Sequence, residues 1–423
     1  MAERIEQYLG TVCAQVRWRR VRPALVQELR THLEEQAAAC RARGLSAPEA
    51  EAEAIRQMGS AEQVGLALDA VHQPKKQTAI MLLAGLCAVL GALLRVICQD
   101  AHAAPALAAL LLTFGALCGG YFFDYRRLGR FAWLIYGAVF ALGALCLYRG
   151  FRYAGGVSIL GVGMSVGIES EYVVLLYPPA YALAVYALRG KKGGFLLALC
   201  AAVPFAALLR LGDRTFTTQV TLLSRLIFRL ELAVVLLIAI RAAFFRVKKG
   251  WAYSAVLLLL ALGLYLDVRS NMSRLAAYFS PAAIQQWRSI AQARPFADQL
   301  MAKTLRLIQQ AGVSSAVPAW VWMAMLYVPM AAFLGLLLVR AAKLPNPLGK
   351  LLSLPAALML IIRFAAGVGY QLSLFPMSAP LPFVSGNLFS VVDAALLGLA
   401  LCALRQSACP EMPPPRLSQA EAA

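Results

Sequence analysis

The residues best placed to do chemistry in this sequence are charges lying inside long apolar runs. Arg225, Arg229 and Glu231 share one run, Arg363 lies in another and Asp393 in a third. An ionisable group in hydrocarbon is costly, so each needs an ionic partner or an aqueous cavity. Arg225 and Arg229 fall on one helix face at i,i+4, whereas Glu231, two residues on, points elsewhere. Arg363 and Asp393 have opposite signs, and pairing would let both be buried. Two readings stand side by side. The charges close the bundle as structural ion pairs, or Arg225, Arg229, Arg363 and Asp393 line a polar cavity for an anionic lipid substrate.

Other chemistry is poorly supplied. The three histidines, His32, His72 and His102, are scattered singly, and none of the nine cysteines forms a CxxC pair. Most cysteines sit in apolar runs, where small hydrophobes in helices are expected rather than a metal site or a disulfide framework. No metal ligand set and no cofactor is expected; a divalent cation enters only if the protein is catalytically active.

These residues are carried by an unusual chain. Of 423 residues, 61% are hydrophobic and 14% charged, with mean hydropathy +0.67; a soluble domain has about 45–50% apolar and about 25% charged residues. An ordinary cytosolic enzyme is excluded, and the fold class is an all-α integral membrane protein. The net charge of +19 is unevenly spread. Residues 1–76 hold 11 Lys/Arg against 10 Asp/Glu, and the rest hold 29 against 11. The excess sits among the membrane segments, where it reads as topology and head-group contact and not as nucleic-acid binding.

Ten apolar runs are long enough to cross the bilayer, at about 78–98, 103–123, 131–148, 171–188, 194–210, 219–241, 251–266, 317–340, 348–370 and 385–404. Alternate connections hold thirteen cations: Arg126, Arg127, Arg130; Arg189, Lys191, Lys192; Arg241, Arg246, Lys248, Lys249; Arg340, Lys343, Lys350. The other short connections hold Arg149, Arg152, Arg210 and Arg214 with the acids Asp100, Glu169, Glu171 and Asp213. This alternation follows the positive-inside rule and places both termini in the cytoplasm. The segment at about 267–316 then lies outside. Within it, Ser280-Pro281 opens a capped helix, and Tyr278 and Trp287 lie among Arg274, Arg288 and Arg294. Aromatics beside cations mark a membrane interface; a contact to a pyrophosphate lipid is the sharper alternative.

Residues 1–75 predict a small soluble helical domain, with no cleavable signal peptide in the polar start. Pro23 to Arg43 predicts a helix stopped by Gly44, with Leu25, Val26, Leu29 and Leu33 at helical spacing. Ser46 with Glu49 predicts a capping box for a helix ending at Gly59, and Ser60 with Gln63 starts another. The order Arg4-Ile-Glu-Gln-Tyr-Leu9, Glu28 to Glu35, Gly44-Leu-Ser46 and Met58-Gly-Ser-Ala61 resembles the bacterial HAAS, or permease-prefix, domain. That resemblance implies a cytosolic tether or protein-contact module. A membrane domain at 76–406 and a flexible cytosolic tail at 407–423 complete the expected organisation.

From residue 121 onward the chain resembles the SEDS family, the FtsW/RodA/SpoVE group of ten-helix cell-wall proteins. Asp124-Tyr-Arg-Arg-Leu-Gly129 and the following Phe131 to Tyr136 resemble its charged connection into the third helix. Phe375-Pro-Met-Ser-Ala-Pro-Leu-Pro-Phe-Val-Ser-Gly386, then Asp393 and Gly398, resembles its "LPxTGxPLPFxSxGGSS" segment, so Pro376, Pro380, Leu381, Pro382, Phe383 and Ser385 form the family loop. The resemblance implies a bacterial plasma-membrane protein of peptidoglycan synthesis in cell division, cell shape or sporulation. It implies lipid II or a related undecaprenyl-linked precursor as ligand, and a class B penicillin-binding protein as partner. The family activity is glycan polymerisation, with a carboxylate activating the attacking sugar hydroxyl.

At the position of the family's "HTDFIF" motif this chain has Val317-Pro-Ala-Trp-Val-Trp-Met-Ala-Met325, and no Asp or Glu lies between Asp298 and Asp393. The paired glutamates that follow in the family are missing, with Ala331 and Ala332 nearby. The expected reading is a degenerate catalytic site. The alternatives are an active glycosyltransferase with a relocated acid, for which Asp267 and Asp298 are the candidates, or a flippase or transporter of lipid-linked precursor. A purely structural membrane subunit is the plainest reading.

Overall fold

The computed structural model describes residues 3–19, 21–72, 77–98, 103–152, 173–215, 222–272, 276, 280–282, 284–285, 289, 319–371, 382 and 388–407. The chain divides into one unit of Met1–Lys76 with Arg405–Ala423 and another of Gln77–Leu404. All regular structure among the described residues is helical.

The first unit contains α1 (Glu3–Gln15), α2 (Arg22–Ala42), α3 (Ala47–Met58) and α4 (Ala61–His72). α1 lies on α4 and α2 on α3. Ile5, Tyr8, Leu9, Val12, Leu29, Leu33, Ala37 and Ala54 form the core. The punctuation read from the sequence is present. Gly44 and Gly59 close their helices at φ +95° and +89°, a region glycine enters without Cβ strain. Glu49 Oε2 accepts from the Ser46 backbone N–H at 3.1 Å and from its hydroxyl at 2.6 Å. The Gln63 N–H donates to Ser60 Oγ at 3.2 Å.

The second unit begins with α5 (Thr78–Cys98), α6 (Ala103–Phe122), α7 (Tyr125–Arg130) and α8 (Ala132–Arg152). It continues with α9 (Tyr177–Ala187), α10 (Gly194–Thr215), α11 (Leu222–Arg241) and α12 (Lys249–Ser270). α13 (Ala319–Ala342), α14 (Pro347–Gln371) and α15 (Leu388–Arg405) complete it. Each of the ten apolar runs carries a helix. Gly194–Leu211, Lys249–Ser270 and Pro347–Gly369 are long and apolar enough, among the described residues, to cross hydrocarbon. Thr78–Leu90, Leu107–Phe122, Ala132–Tyr148 and Tyr327–Ala342 are shorter apolar stretches of helices. Large aliphatic side chains such as Leu82, Leu134 and Leu258 point outward, at 70% exposure or more. A water-soluble protein rarely shows such a belt. The chain is a multi-pass membrane protein.

The fourth run departs from its expected length. α9 begins only at Tyr177, because Pro178 and Pro179 suit a first helical turn and interrupt a longer helix. It is the centre of the bundle, packed on α8, α10, α11 and α14. Tyr177 stacks on Phe205 of α10 with ring centroids 4.5 Å apart and planes at 19°. α10 runs five residues beyond the apolar end at 210 and α12 four beyond that at 266, which draws charged residues into helices.

Candidate functional site

α11 and α12 are antiparallel and packed together. The pairs Arg225–Asn271 and Arg229–Asp267 show it, since each position on one helix rises by four as its partner falls by four. Arg229 donates from Nε and Nη2 to the two carboxylate oxygens of Asp267, the Nη2–Oδ1 contact being 3.1 Å. This two-pronged geometry matches the planar guanidinium to the carboxylate. Arg210 of α10 adds a third cation, with Nη1 at 3.9 Å from Asp267 Oδ1 and donating to Ser270 Oγ at 3.1 Å. Arg225 Nη2 donates to Asn271 Oδ1 at 3.4 Å, and Asn271 Nδ2 donates to the Asp267 carbonyl at 2.8 Å. Asp267 and Arg225 are buried, whereas the Arg210 side chain is half exposed.

Gly263 makes the space for this pair. A Cβ there would collide with the Arg229 guanidinium, whose Cζ would be 3.0 Å away. Gly263, Asp267 and Asn271 recur at i,i+4, so one face of α12 supplies the gap, the acid and the amide.

The second charged group lies between α11, α14 and α15. Arg363 Nη1 donates to Asp393 Oδ1 at 2.5 Å, and both residues are buried. Glu231 of α11 is also buried, and Arg363 acts on it electrostatically. The four residues read from the sequence as one cavity thus take two sets of partners: Arg225 and Arg229 with α12, Arg363 with α15. Arg210, Ser270, Asn271 and Gly263 join them without having been singled out as site residues. Arg210 was assigned to a connection, and the structure places it inside α10.

The arrangement favours anion recognition over proton abstraction. Two guanidiniums, Arg229 and Arg210, contact the Asp267 carboxylate and a third, Arg225, is bonded to the neighbouring Asn271, so cations are in excess among the described residues. Both carboxylate oxygens already accept hydrogen bonds, which leaves a poor general base for a substrate hydroxyl. Asp298 lies outside the described residues, as do Pro376, Pro380, Leu381, Phe383 and Ser385. Pro382 is a buried turn residue. Ala331 and Ala332 are exposed on α13. Among the described residues no group of three or more His, Cys, Asp or Glu could hold a metal.

No protein-family model and no curated protein matches the chain. Solved structures do. Rod-shape-determining protein RodA from Thermus thermophilus superposes with a TM-score of 0.50 and 19% identity, 79% of this chain covering 97% of that one. An aspartate-to-alanine variant of the same RodA gives the same score and identity, with 98% of its chain covered. Over most of its length the chain has the RodA fold. A chain from a peptidoglycan synthase complex that coordinates polymerization and crosslinking has a TM-score of 0.57 and 21% identity, 78% of this chain covering 97% of it. Among the described residues the buried charged side chains of this fold fall into two helix-to-helix clusters, one on α10–α12 and one on α11, α14 and α15.

Proposed function

We propose that the protein works in bacterial peptidoglycan synthesis as a SEDS-like membrane protein that engages lipid II or a related undecaprenyl-linked precursor without polymerising it. The observation that carries this reading is a RodA fold in which Asp267, the described member of the two candidate bases, is bound by Arg229 through both oxygens. The replacement of the family's acidic motif at Val317 to Met325 agrees with it. The cationic excess at Arg210, Arg225 and Arg229 suits the pyrophosphate of such a lipid.

A class B penicillin-binding protein is the partner this reading names; a chain of similar fold occurs in a peptidoglycan synthase complex. Both termini lie in the cytoplasm, and the HAAS-like head at residues 1–75 acts there as a tether or contact module. Division, elongation and sporulation remain equal settings for such a partner.

The reading is tested by placing the full chain in lipid nanodiscs and titrating fluorescent lipid II, with undecaprenyl pyrophosphate as competitor. Saturable, competed binding that weakens at least tenfold in Arg225→Ala supports it. Absence of binding by the folded protein removes it and favours a transporter of other cargo.

A further inference from the structure

α11 carries charge on two sides. Arg229 leans on α12, and Glu231 lies about 200° further round the helix. Glu231 is 2% exposed, and its Oε1 is buried without a hydrogen-bond partner. The charge acting on it is Arg363, on the neighbouring helix α14. Arg363 is in turn hydrogen-bonded to Asp393, which is 0% exposed.

Among the described residues, the other elements packed on α11 supply no competing charge here. α9 brings only the tyrosines Tyr177, Tyr181 and Tyr186 as titratable groups. The Asp267 carboxylate of α12 is taken by Arg229, and Arg210 of α10 also turns to it. Arg225 is engaged with Asn271. Lys350 sits in the first turn of α14, more than three turns from Arg363.

The charge count is then simple. Among the described residues two carboxylates stand against one guanidinium, a net negative charge inside the bundle, and a buried net charge is strongly disfavoured. One bound cation cancels it. A metal ion wants several oxygen ligands and is repelled by the adjacent guanidinium, whereas a proton needs one oxygen. Asp393 already accepts from Arg363 through Oδ1, whereas Glu231 Oε1 is a buried acceptor that receives no hydrogen bond among the described residues.

We propose that Glu231, Arg363 and Asp393 form a proton-binding site inside the membrane bundle, with Glu231 taking the proton from water and returning it. Bound, the proton makes the trio neutral and lets α11 lie against α14. Released, it leaves a carboxylate that competes with Asp393 for Arg363, so proton release and loosening of the α11–α14 contact are one event. The site stands apart from any reading of precursor binding.

Infrared difference spectroscopy on the full chain in nanodiscs reads the site directly. A protonated-carboxyl band at neutral pH that shifts in deuterium oxide and vanishes in Glu231→Gln is the expected result. The thermal midpoint gives a second reading. The folded chain holds a proton that the unfolded chain has released at neutral pH, so native stability falls as pH rises above the ordinary carboxyl range. Glu231→Gln, a neutral isostere, abolishes most of that slope. If Glu231→Gln fails to fold, the native infrared band still decides. No carboxyl band in the native protein at neutral pH, an unchanged pH slope in Glu231→Gln, or stabilisation by sodium ion in place of protons overturns the proposal.

Discussion

Asp267 and Arg229 are joined through both carboxylate oxygens, and Gly263, one turn before Asp267, leaves the room that the guanidinium occupies. The pair binds α11 to α12 in the part of the bundle where cations outnumber acids. It explains how an aspartate can sit fully buried without serving as a base.

Asp267→Ala therefore acts on stability. It strands the Arg229 cation and costs about 2 kcal/mol, less than the roughly 3–5 kcal/mol of a fully enclosed pair because the Arg229 side chain is 27% exposed. The thermal midpoint in detergent falls accordingly. The double variant Arg229→Met with Asp267→Leu recovers much of the loss, because no unpaired charge remains.

Arg363→Ala is the more damaging change. Both partners of the Arg363–Asp393 pair are buried, and removal of the cation leaves the Asp393 carboxylate buried without the guanidinium that donates to it. A loss of about 3–5 kcal/mol is expected. A fluorescence size-exclusion assay reads it as loss of the monodisperse peak at a temperature the native chain survives.

Gly120 and Gly398 set the approach of α6 to α15. A Cβ at 120 would be 2.7 Å from the Ala395 carbonyl, and one at 398 would be 2.5 Å from the Leu117 carbonyl. Backbone cannot swing aside as a side chain does, so Gly398→Ala forces the helices apart and costs about 1–3 kcal/mol. Gly137→Ala, with open space around it, leaves the midpoint unchanged.

The capping box gives the head a pH dependence. The Ser46 hydroxyl, and then its backbone N–H, hold the Glu49 carboxyl below its ordinary range. A lowered folded value means that the contribution is present above the unfolded carboxyl range and is lost as pH falls through the folded value. Hydrogen exchange of α3 amides in the full chain should speed up on acidification relative to α2, and Glu49→Gln should remove that dependence.

Much of this architecture was legible because it rests on local rules. Gly44, Gly59, Ser46 with Glu49 and Ser60 with Gln63 act over a few residues, and all four appear as read. The ten runs carried their helices because hydrophobic length is itself the constraint in a bilayer. The Arg363–Asp393 pair was readable from sign alone. Asp267 was not, because its partners Arg229 and Arg210 are 38 and 57 positions away and depend on the antiparallel register of α11 and α12. The signal was nonetheless in the spacing: Arg225 with Arg229 and Asp267 with Asn271 are both i,i+4 steps on consecutive helices. The early end assigned to the fifth run hid Arg210, since hydropathy falls before the helix does.

The most direct test is glycan-strand formation from labelled lipid II by the purified full chain, alone and with class B penicillin-binding proteins of the same cell. Asp267→Ala and Asp298→Ala variants run in parallel. The account predicts lipid II bound and no polymer in any of these reactions. Polymer made by the native chain and abolished by either substitution, with folding intact, would contradict it and show a working enzyme with a relocated base.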